Sequence, residues 1–459
     1  MYKIDFDNPL HIHFIGIGGV SMSGLAEILL DKGFKISGSD NKESDLTKRL
    51  IAGGAKVSYP QSASNVDADT DVFVYTAAIH PDNPEYKAAE ATGKPMLTRA
   101  ELLGQIMENY TQSIAVSGTH GKTSTTSMIS QILLEANTDP TISIGGIFKT
   151  INSNIRVGQS DTFITEACEY TNSFHSFYPK YCVILNVEED HMDFFKDINE
   201  IRQSFHKFAG NTAKDGYIII NGSIPNLHEI TEGYSQKIIT FGLSTDYDVH
   251  AVDISYNNHG CGIFTPVVYG KKLPAITLQI PGEHNISNAL AAIAVTTQMD
   301  IDTDNIIKGL ESFGGADRRF QIKGEYKGAT IVDDYAHHPT EIAATLEAAK
   351  NYPHNRIICI FQPHTYTRTK AFLQDFAKAL SLADIVILAD IYAAREQDIY
   401  GVSSKNILDL LQKENVESYY FPTFSEIEEF ISKNCMNHDL LITMGAGDVV
   451  NIGSDLLNM

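Results

Sequence analysis

The strand-like run Ser113-Ile-Ala-Val-Ser117 leads into Gly118-Thr119-His120-Gly121-Lys122-Thr123, and a helix is predicted from Thr123 to Glu135. A strand, a glycine turn and a helix in that order suit phosphate. Backbone N–H groups at the positive helix end meet the anion, a lysine reaches terminal phosphates, and a hydroxyl reaches Mg2+. Lys122 and Thr123 fill those two roles here, and Val116 replaces the first glycine of the common GxxxxGK[ST] pattern.

Two acidic segments, Glu166-Ala-Cys-Glu169 and Glu188-Glu-Asp190-His191-Met-Asp193, each follow an apolar strand-like run. In a parallel sheet both would reach the same edge as the phosphate turn, where hard oxygen donors and an imidazole could hold Mg2+ bridging ATP phosphates. Nearer the start, Gly16-Ile-Gly18-Gly19-Val-Ser21-Met22 follows a strand, and Asp40 closes the next strand. That turn fits a pyrophosphate, with the acid on a ribose hydroxyl, although Ser21 stands where GxGxxG has its third glycine. By itself it does not separate NAD from a nucleotide sugar. Later, Asp333-Asp334-Tyr335-Ala336-His337-His338-Pro339 is predicted between a strand and a helix, with two carboxylates and two imidazoles able to orient or deprotonate an amine. Gln362-Pro-His364-Thr-Tyr366-Thr-Arg368 and Asp390 with Arg395-Glu396 follow the next two strands. Asn285 and Asn288 could face a ligand or cap their helix, and Arg318-Arg319 could serve a site or a hinge.

These residues need a scaffold of alternating strands and helices. The first unit has a strand over His11 to Gly16, a helix over Met22 to Lys32, strands over Phe34 to Ser37 and Val72 to Thr76, and a helix over Pro84 to Thr92. In the second, strands over Thr162 to Thr165, Cys182 to Asn186 and Tyr217 to Ile220 precede short alternating runs between Ile238 and Gln279, which suggest an antiparallel side sheet, and a helix over Asn285 to Thr297. The third begins around Arg318 to Tyr326. It has strands over Thr330 to Val332, Arg356 to Phe361, Ile385 to Leu388 and Leu440 to Met444, with helices over Pro339 to Lys350 and Arg368 to Leu380. The fold class is therefore α/β with parallel sheets in three domains, as 459 residues also suggest.

A net charge of −22 argues against a nucleic-acid partner, because polyanion binding needs clustered Lys and Arg. No apolar run reaches the ~20 residues of a membrane span. The N-terminus lacks signal-peptide features, and five scattered cysteines without CxxC spacing read as reduced thiols in a cytoplasm.

Assembled, the chain resembles the Mur ligases of bacterial cell-wall synthesis. The resemblance rests on His13-Phe-Ile-Gly-Ile-Gly-Gly19, the Gly118 to Thr123 turn, Asp190-His191, Gly282-Glu-His-Asn-Ile-Ser-Asn288, Arg318-Arg-Phe320, Asp333 to Glu341, Phe361-Gln-Pro-His364 and Asp390 to Glu396. The Asp333 and Asp390 strings are most similar to the alanine-adding branch. The resemblance implies a Rossmann-like UDP-sugar domain (1–108), a central P-loop-type ATPase domain (109–317) and a Rossmann-like amino-acid domain (318–459). It implies that Gly16, Gly18, Gly19, Ser21, Met22 and Asp40 hold the UDP-sugar. Gly118, Thr119, His120, Gly121, Lys122, Thr123, Ser124, Asn285, Asn288 and Arg318 would hold ATP. Thr123 and Glu166 would bind one Mg2+ and His191 a second, Tyr335, His337 and Arg368 would face L-alanine, and Lys122, His337 and Arg319 would be catalytic. The implied reaction joins L-alanine to the lactyl carboxylate of UDP-N-acetylmuramate through an acyl phosphate, in a monomer or homodimer. Two departures stand out: Glu166-Ala-Cys-Glu-Tyr-Thr171 replaces the EADESD of many relatives, and Thr365 replaces their arginine, leaving Arg368 as the single expected partner of the alanine carboxylate.

Overall fold

The computed structural model describes residues 2–394 and 396–459, so Arg395, one of the expected strand-end polar residues, lies outside the described residues. The described residues form three sheets arranged along the chain. The first is fully parallel, in the order Lys56–Ser58, Lys35–Ser39, His11–Ile15, Val72–Tyr75, Met96–Thr98. His11–Ile15 is buried on both faces, as a central parallel strand must be.

The second sheet centres on Gln112–Ser117, which pairs in parallel with Thr162–Glu166 on one side and Tyr181–Ile184 on the other. The side sheet expected between Ile238 and Gln279 is present. Val249–Tyr256, Cys261–Val268 and Ile276–Pro281 pair antiparallel, while Lys237–Gly242 still runs parallel to Tyr217–Asn221. The alanine-rich helix Glu283–Gln298 is buried along most of its length and packs on both the side sheet and the helix Lys122–Glu135. The third sheet runs Gln321–Tyr326, Ala329–Asp334, Leu440–Met444, Ile357–Phe361, Ile385–Leu388, Glu417–Tyr420, with only its first pair antiparallel.

Two expectations change. The strand predicted to end at Val332 continues through Asp334, so both aspartates belong to the sheet and only Tyr335 to His338 form the loop. Its extra length is stabilised because Asp333 accepts from the Arg318 guanidinium (3.0 Å) and Thr443 (2.9 Å), and Asp334 from the Phe320 and Ala336 N–H groups (2.8 Å each). The helix predicted from Arg368 to Leu380 is two helices, Tyr366–Ala371 and Leu373–Leu380, broken at Phe372 where ψ leaves the helical range.

One apolar cluster runs from the first sheet to a face of the second. It includes Ile12, Leu25 and Leu102 on one side and Phe163, Phe174 and Phe208 on the other. Helix Arg99–Met107 packs against the turn Tyr170–Ser176 across this junction, where a Cβ on Gly104 would collide with the Ser176 carbonyl. Neither backbone can retreat without opening the buried cluster. Gly104→Ala is expected to destabilise the protein by about 1–3 kcal/mol, read as a lowered thermal unfolding midpoint; an unchanged midpoint would show that the junction is not this tightly packed.

Candidate active site between the second and third sheets

The phosphate turn is held by the strand beside it. Asn186, just beyond Tyr181–Ile184, accepts from His120 N–H (2.7 Å) and donates to the His120 carbonyl (3.1 Å), while Glu188 N–H donates to Thr119 Oγ1 (3.0 Å). Glycine is required at both ends of the turn. Gly118 has φ +143° with Leu185 Cβ 2.9 Å from where its own Cβ would be, and Gly121 has φ +83° with Asn288 Oδ1 at 2.8 Å. The turn therefore delivers the unpaired N–H groups of the 14-residue helix Lys122–Glu135 to the cleft.

Lys122 Nζ donates to the carbonyls of Gly118 and Thr119 and to Glu169 Oε2 (3.0 Å). Burial works against its charge, but Glu169 outweighs burial and the ammonium is held more tightly protonated than a free lysine. Glu166, the last residue of its strand, accepts from Gly145 N–H (2.7 Å), and Thr123 lies against the adjacent Gly146. Thr123 makes no side-chain hydrogen bond among the described residues, and it and the Glu166 carboxylate both lie against the Gly145-Gly146 stretch of the strand Thr141–Phe148. His191 Nε2 lies 3.7 Å from both Glu169 and Asp190. Burial lowers its pKa, so the ring is neutral at pH 7 and its nitrogen can act as a donor to a metal.

The third sheet closes this cleft. His338 Nε2 bonds the Glu189 carbonyl (3.1 Å), Thr340 Oγ1 donates to Glu188 (2.8 Å), and Arg368 grips Asp190 Oδ1 through two nitrogens (2.8 and 3.2 Å). His120 stands between two carboxylates, 3.4 Å from Glu188 and 3.2 Å from Glu341. Burial depresses its basicity, but Glu188 and Glu341 together raise its pKa to about 9. Glu341 itself is half-buried and stays ionised because the neighbouring histidines and Arg319 outweigh desolvation. A cavity of about 310 Å3 lies inside the clasp, lined by His120, Gly121, Ser124, Asn285, Asn288 and Arg319 among others.

Several expected site residues have other partners. Arg318 does not line that cavity; its guanidinium is spent on Asp333 and on the Gly445 and Gly447 carbonyls. Arg319 does line it, 3.7 Å from Glu341. Tyr335 sits between two guanidiniums, with Arg318 at 4.9 Å and Arg319 at 5.4 Å from its ring centre. Arg368, expected on an alanine carboxylate, holds Asp190 and His364. Asn285 donates to the Pro281 carbonyl and Asn288 to Asn285, so both amides are braced while facing the cavity. In the first sheet, Asp40 braces the glycine turn by accepting from Gly18 N–H (2.8 Å), and the Met22 side chain is buried in the core. His337 donates its Nδ1–H to the Tyr335 carbonyl (3.0 Å), and burial lowers its pKa to about 4.

Sequence reasoning singled out Glu188 and Asp190 as possible Mg2+ donors but missed their contacts to the third domain, and it gave Glu341 no role. Glu341 had a local signal: it is the acidic member of a capping box started by His338, three residues before it. The pairing of Arg368 with Asp190 spans 178 residues and had none.

A glycine turn opening a helix, a half-buried lysine beside two acidic strand ends, and a third domain clasped over them are the arrangement of a three-domain ATP-dependent ligase. Family models agree over the chain: Mur ligase family, catalytic domain matches residues 11–111, Mur ligase middle domain 116–296, and Mur ligase, glutamate ligase domain 318–447. The chain is 64% identical over 457 residues, with full coverage of both proteins, to the UDP-N-acetylmuramate--L-alanine ligase of Agathobacter rectalis, and 50% identical to that of Caldanaerobacter subterraneus with 99% of each covered. Its structure matches the UDP-N-acetylmuramate-alanine ligase MurC of Thermotoga maritima with TM-score 0.80, 29% identity and 98% of each chain covered. A murein peptide ligase from Psychrobacter arcticus, 23% identical with 98% of each chain covered, shares the fold at TM-score 0.69. The chain belongs to the Mur ligase family.

Because the folded His120 has a pKa of about 9 against 6.5 for a free ring, its contribution to stability is complete below about 6.5 and declines until it is lost above about 9. The wild-type unfolding midpoint should fall across that window, and His120→Gln should flatten the fall. An equal slope in both proteins would remove His120 from the clasp.

Proposed function

We propose that this chain joins L-alanine to the lactyl carboxylate of UDP-N-acetylmuramate at the expense of ATP, the first peptide step of peptidoglycan precursor synthesis, in the cytoplasm. Residues 1–108 serve the UDP-sugar, 109–317 ATP, and 318–459 the amino acid. The observation that carries the reading is the clasp itself: the strand-to-helix segment Tyr335 to Glu341 is docked directly on the phosphate turn through His120 and Glu188. An amine held by the third domain is thereby brought to a carboxylate activated in the second. Among the described residues no helix is long and apolar enough to cross a membrane, which suits small soluble substrates.

The lactyl carboxylate attacks the γ-phosphate, giving ADP and an acyl phosphate, and the alanine amine then displaces phosphate to form the amide. Two anions must meet in the first step, and their repulsion grows where water is excluded. Lys122 supplies a fixed positive charge at the helix end, and Arg319 a second on the cavity wall. Thr123 with Glu166, and His191, offer donors suited to Mg2+, which would supply further neutralisation of the phosphates. In the second step the attacking nitrogen must lose a proton. His337 suits that role because its ring is neutral at pH 7 and its Nδ1 is fixed by the Tyr335 carbonyl, leaving Nε2 as the acceptor. Asp333 and His338 are less suited, since both are engaged in structural hydrogen bonds.

Inorganic phosphate release is expected only with ATP, UDP-N-acetylmuramate and an amino acid together, fastest with L-alanine across a panel including glycine and serine. NADH formation, or UDP-sugar binding without ATP turnover, would refute the assignment. Lys122→Ala should lower kcat at least tenfold, about 1.4 kcal/mol of barrier; near-normal turnover would remove the lysine from the mechanism. Chelation should stop turnover, with Mg2+ restoring it; turnover that persists in excess chelator would eliminate the proposed metal role.

A further inference from the structure

A ring nitrogen of His120, a ring nitrogen of His338 and a carboxylate oxygen of Glu188 lie within 4.8 Å of one another. His120 and Glu188 belong to the second domain, whereas His338 opens the helix Pro339–Lys350 of the third. His120 meets a carboxylate at each nitrogen: Glu341 Oε1 is 3.2 Å from Nδ1, and Glu188 Oε2 is 3.4 Å from Nε2. Nε2 is shielded from water, and among the described residues it has no hydrogen-bond partner, because the Glu188 contact misses hydrogen-bond geometry. A buried nitrogen left this way is costly and points to a ligand that supplies the missing bond. Zn–N bonds of about 2.0–2.1 Å and Zn–O bonds of about 2.0–2.2 Å place two corners of a tetrahedron about 3.3–3.5 Å apart. The 3.4 Å between Nε2 and Glu188 matches that edge.

All three groups are braced from behind. His120 Nδ1 faces Glu341, His338 Nε2–H donates to the Glu189 carbonyl (3.1 Å), and Glu188 Oε2 accepts from Thr340 Oγ1 (2.8 Å). Partners of this kind fix the tautomer of a metal-binding histidine and the orientation of a metal-binding carboxylate. They leave His120 Nε2 and His338 Nδ1 with lone pairs to offer, the latter engaged by a long cap bond from Thr340 N–H (3.3 Å). His120 and Glu188 also line the cavity of about 310 Å3, which leaves room for an ion and for a water at the fourth corner. Two imidazoles and one carboxylate favour Zn2+ over Mg2+, which takes oxygen ligands and dehydrates reluctantly.

We propose that His120, Glu188 and His338 form a Zn2+ site that staples the third domain onto the second. The ion takes one nitrogen from each ring and one carboxylate oxygen, and the proton that His120 Nε2 carries in the metal-free clasp leaves to solvent as the Zn–N bond forms. The site shares no residue with the Mg2+ donors Thr123, Glu166 and His191. Because its ligands come from both sides of the cleft, a bound ion resists domain opening, and Zn2+ should slow turnover even at saturating Mg2+.

The test is Zn2+ titration of the full-length protein in excess Mg2+ against a chromophoric chelator, with the visible spectrum of bound Co2+ as a second readout, for wild type, His338→Gln, Glu188→Gln and His191→Gln. The expected result is a single Zn2+ bound by wild type, a tetrahedral Co2+ spectrum, and at least a tenfold loss of Zn2+ affinity with loss of that spectrum in His338→Gln and Glu188→Gln but not in His191→Gln. Wild type that binds no Zn2+ in excess Mg2+ overturns the proposal, as does a smaller loss in the two clasp variants or an octahedral Co2+ spectrum. An equal or larger loss in His191→Gln also overturns it, by placing the ion among the phosphate-side donors. If His338→Gln does not fold, Glu188→Gln decides, because glutamine can still accept from Thr340 and preserve the clasp.

Discussion

The cleft depends on keeping charges ionised where water is scarce. Lys122 is enclosed by the turn it starts from, and burial alone would favour its neutral form. Glu169 reverses that, and Glu169 can do so because its segment leaves the strand Thr162–Glu166, which pairs in register with Gln112–Ser117. The parallel pairing is therefore an electrostatic requirement as well as a packing solution. It sends the phosphate turn and the acidic segments out of the same sheet edge.

The clasp extends the same logic across the domain junction. Glu341 is half-buried and desolvation alone would raise its pKa, yet it touches His120 and lies near Arg319 and His337. Within this one array, burial makes His337 neutral while two carboxylates make His120 a cation. Two histidines in similar burial thus reach opposite charge states at neutral pH: His120 has two carboxylates against its ring, whereas His337 has Glu341 alone within 4 Å and the Arg368 cation opposing its charge. A cationic His120 in the glycine turn adds to the positive potential there; a neutral His337 keeps a ring nitrogen able to accept a proton.

Local order controlled how much of this was legible in the sequence. The strand, turn and helix around Gly118 to Thr123 were readable because glycine geometry and helix periodicity act over a few residues. The two acidic strand ends were also readable, since parallel pairing places them without any knowledge of partners. Arg318, Asp40 and Arg368 were harder. Each has the chemistry of a ligand contact, and each is engaged by a protein group: Asp333 and two carbonyls, the Gly18 N–H, and Asp190. Charge type in a sequence does not state whether the charge is already answered. The boundary of the strand Ala329–Asp334 failed for the same reason, because two aspartates at a strand end look like loop until Arg318 and Thr443 are placed beside them.

Arg368 and Asp190 sharpen this point. Their pairing ties the third domain to the segment that carries His191, so an amino-acid carboxylate arriving at Arg368 would compete with Asp190 for the guanidinium. Asp190 is held well below the usual carboxylate range, since Arg368 outweighs the effect of burial, and so it remains a charged competitor throughout the neutral range. Exchange of one carboxylate for another at a guanidinium changes little in net charge. It does change which domains the arginine joins. Binding of the amino acid at Arg368 would therefore be coupled to the position of the His191 segment, and so to the phosphate side of the cleft, through a single ion pair.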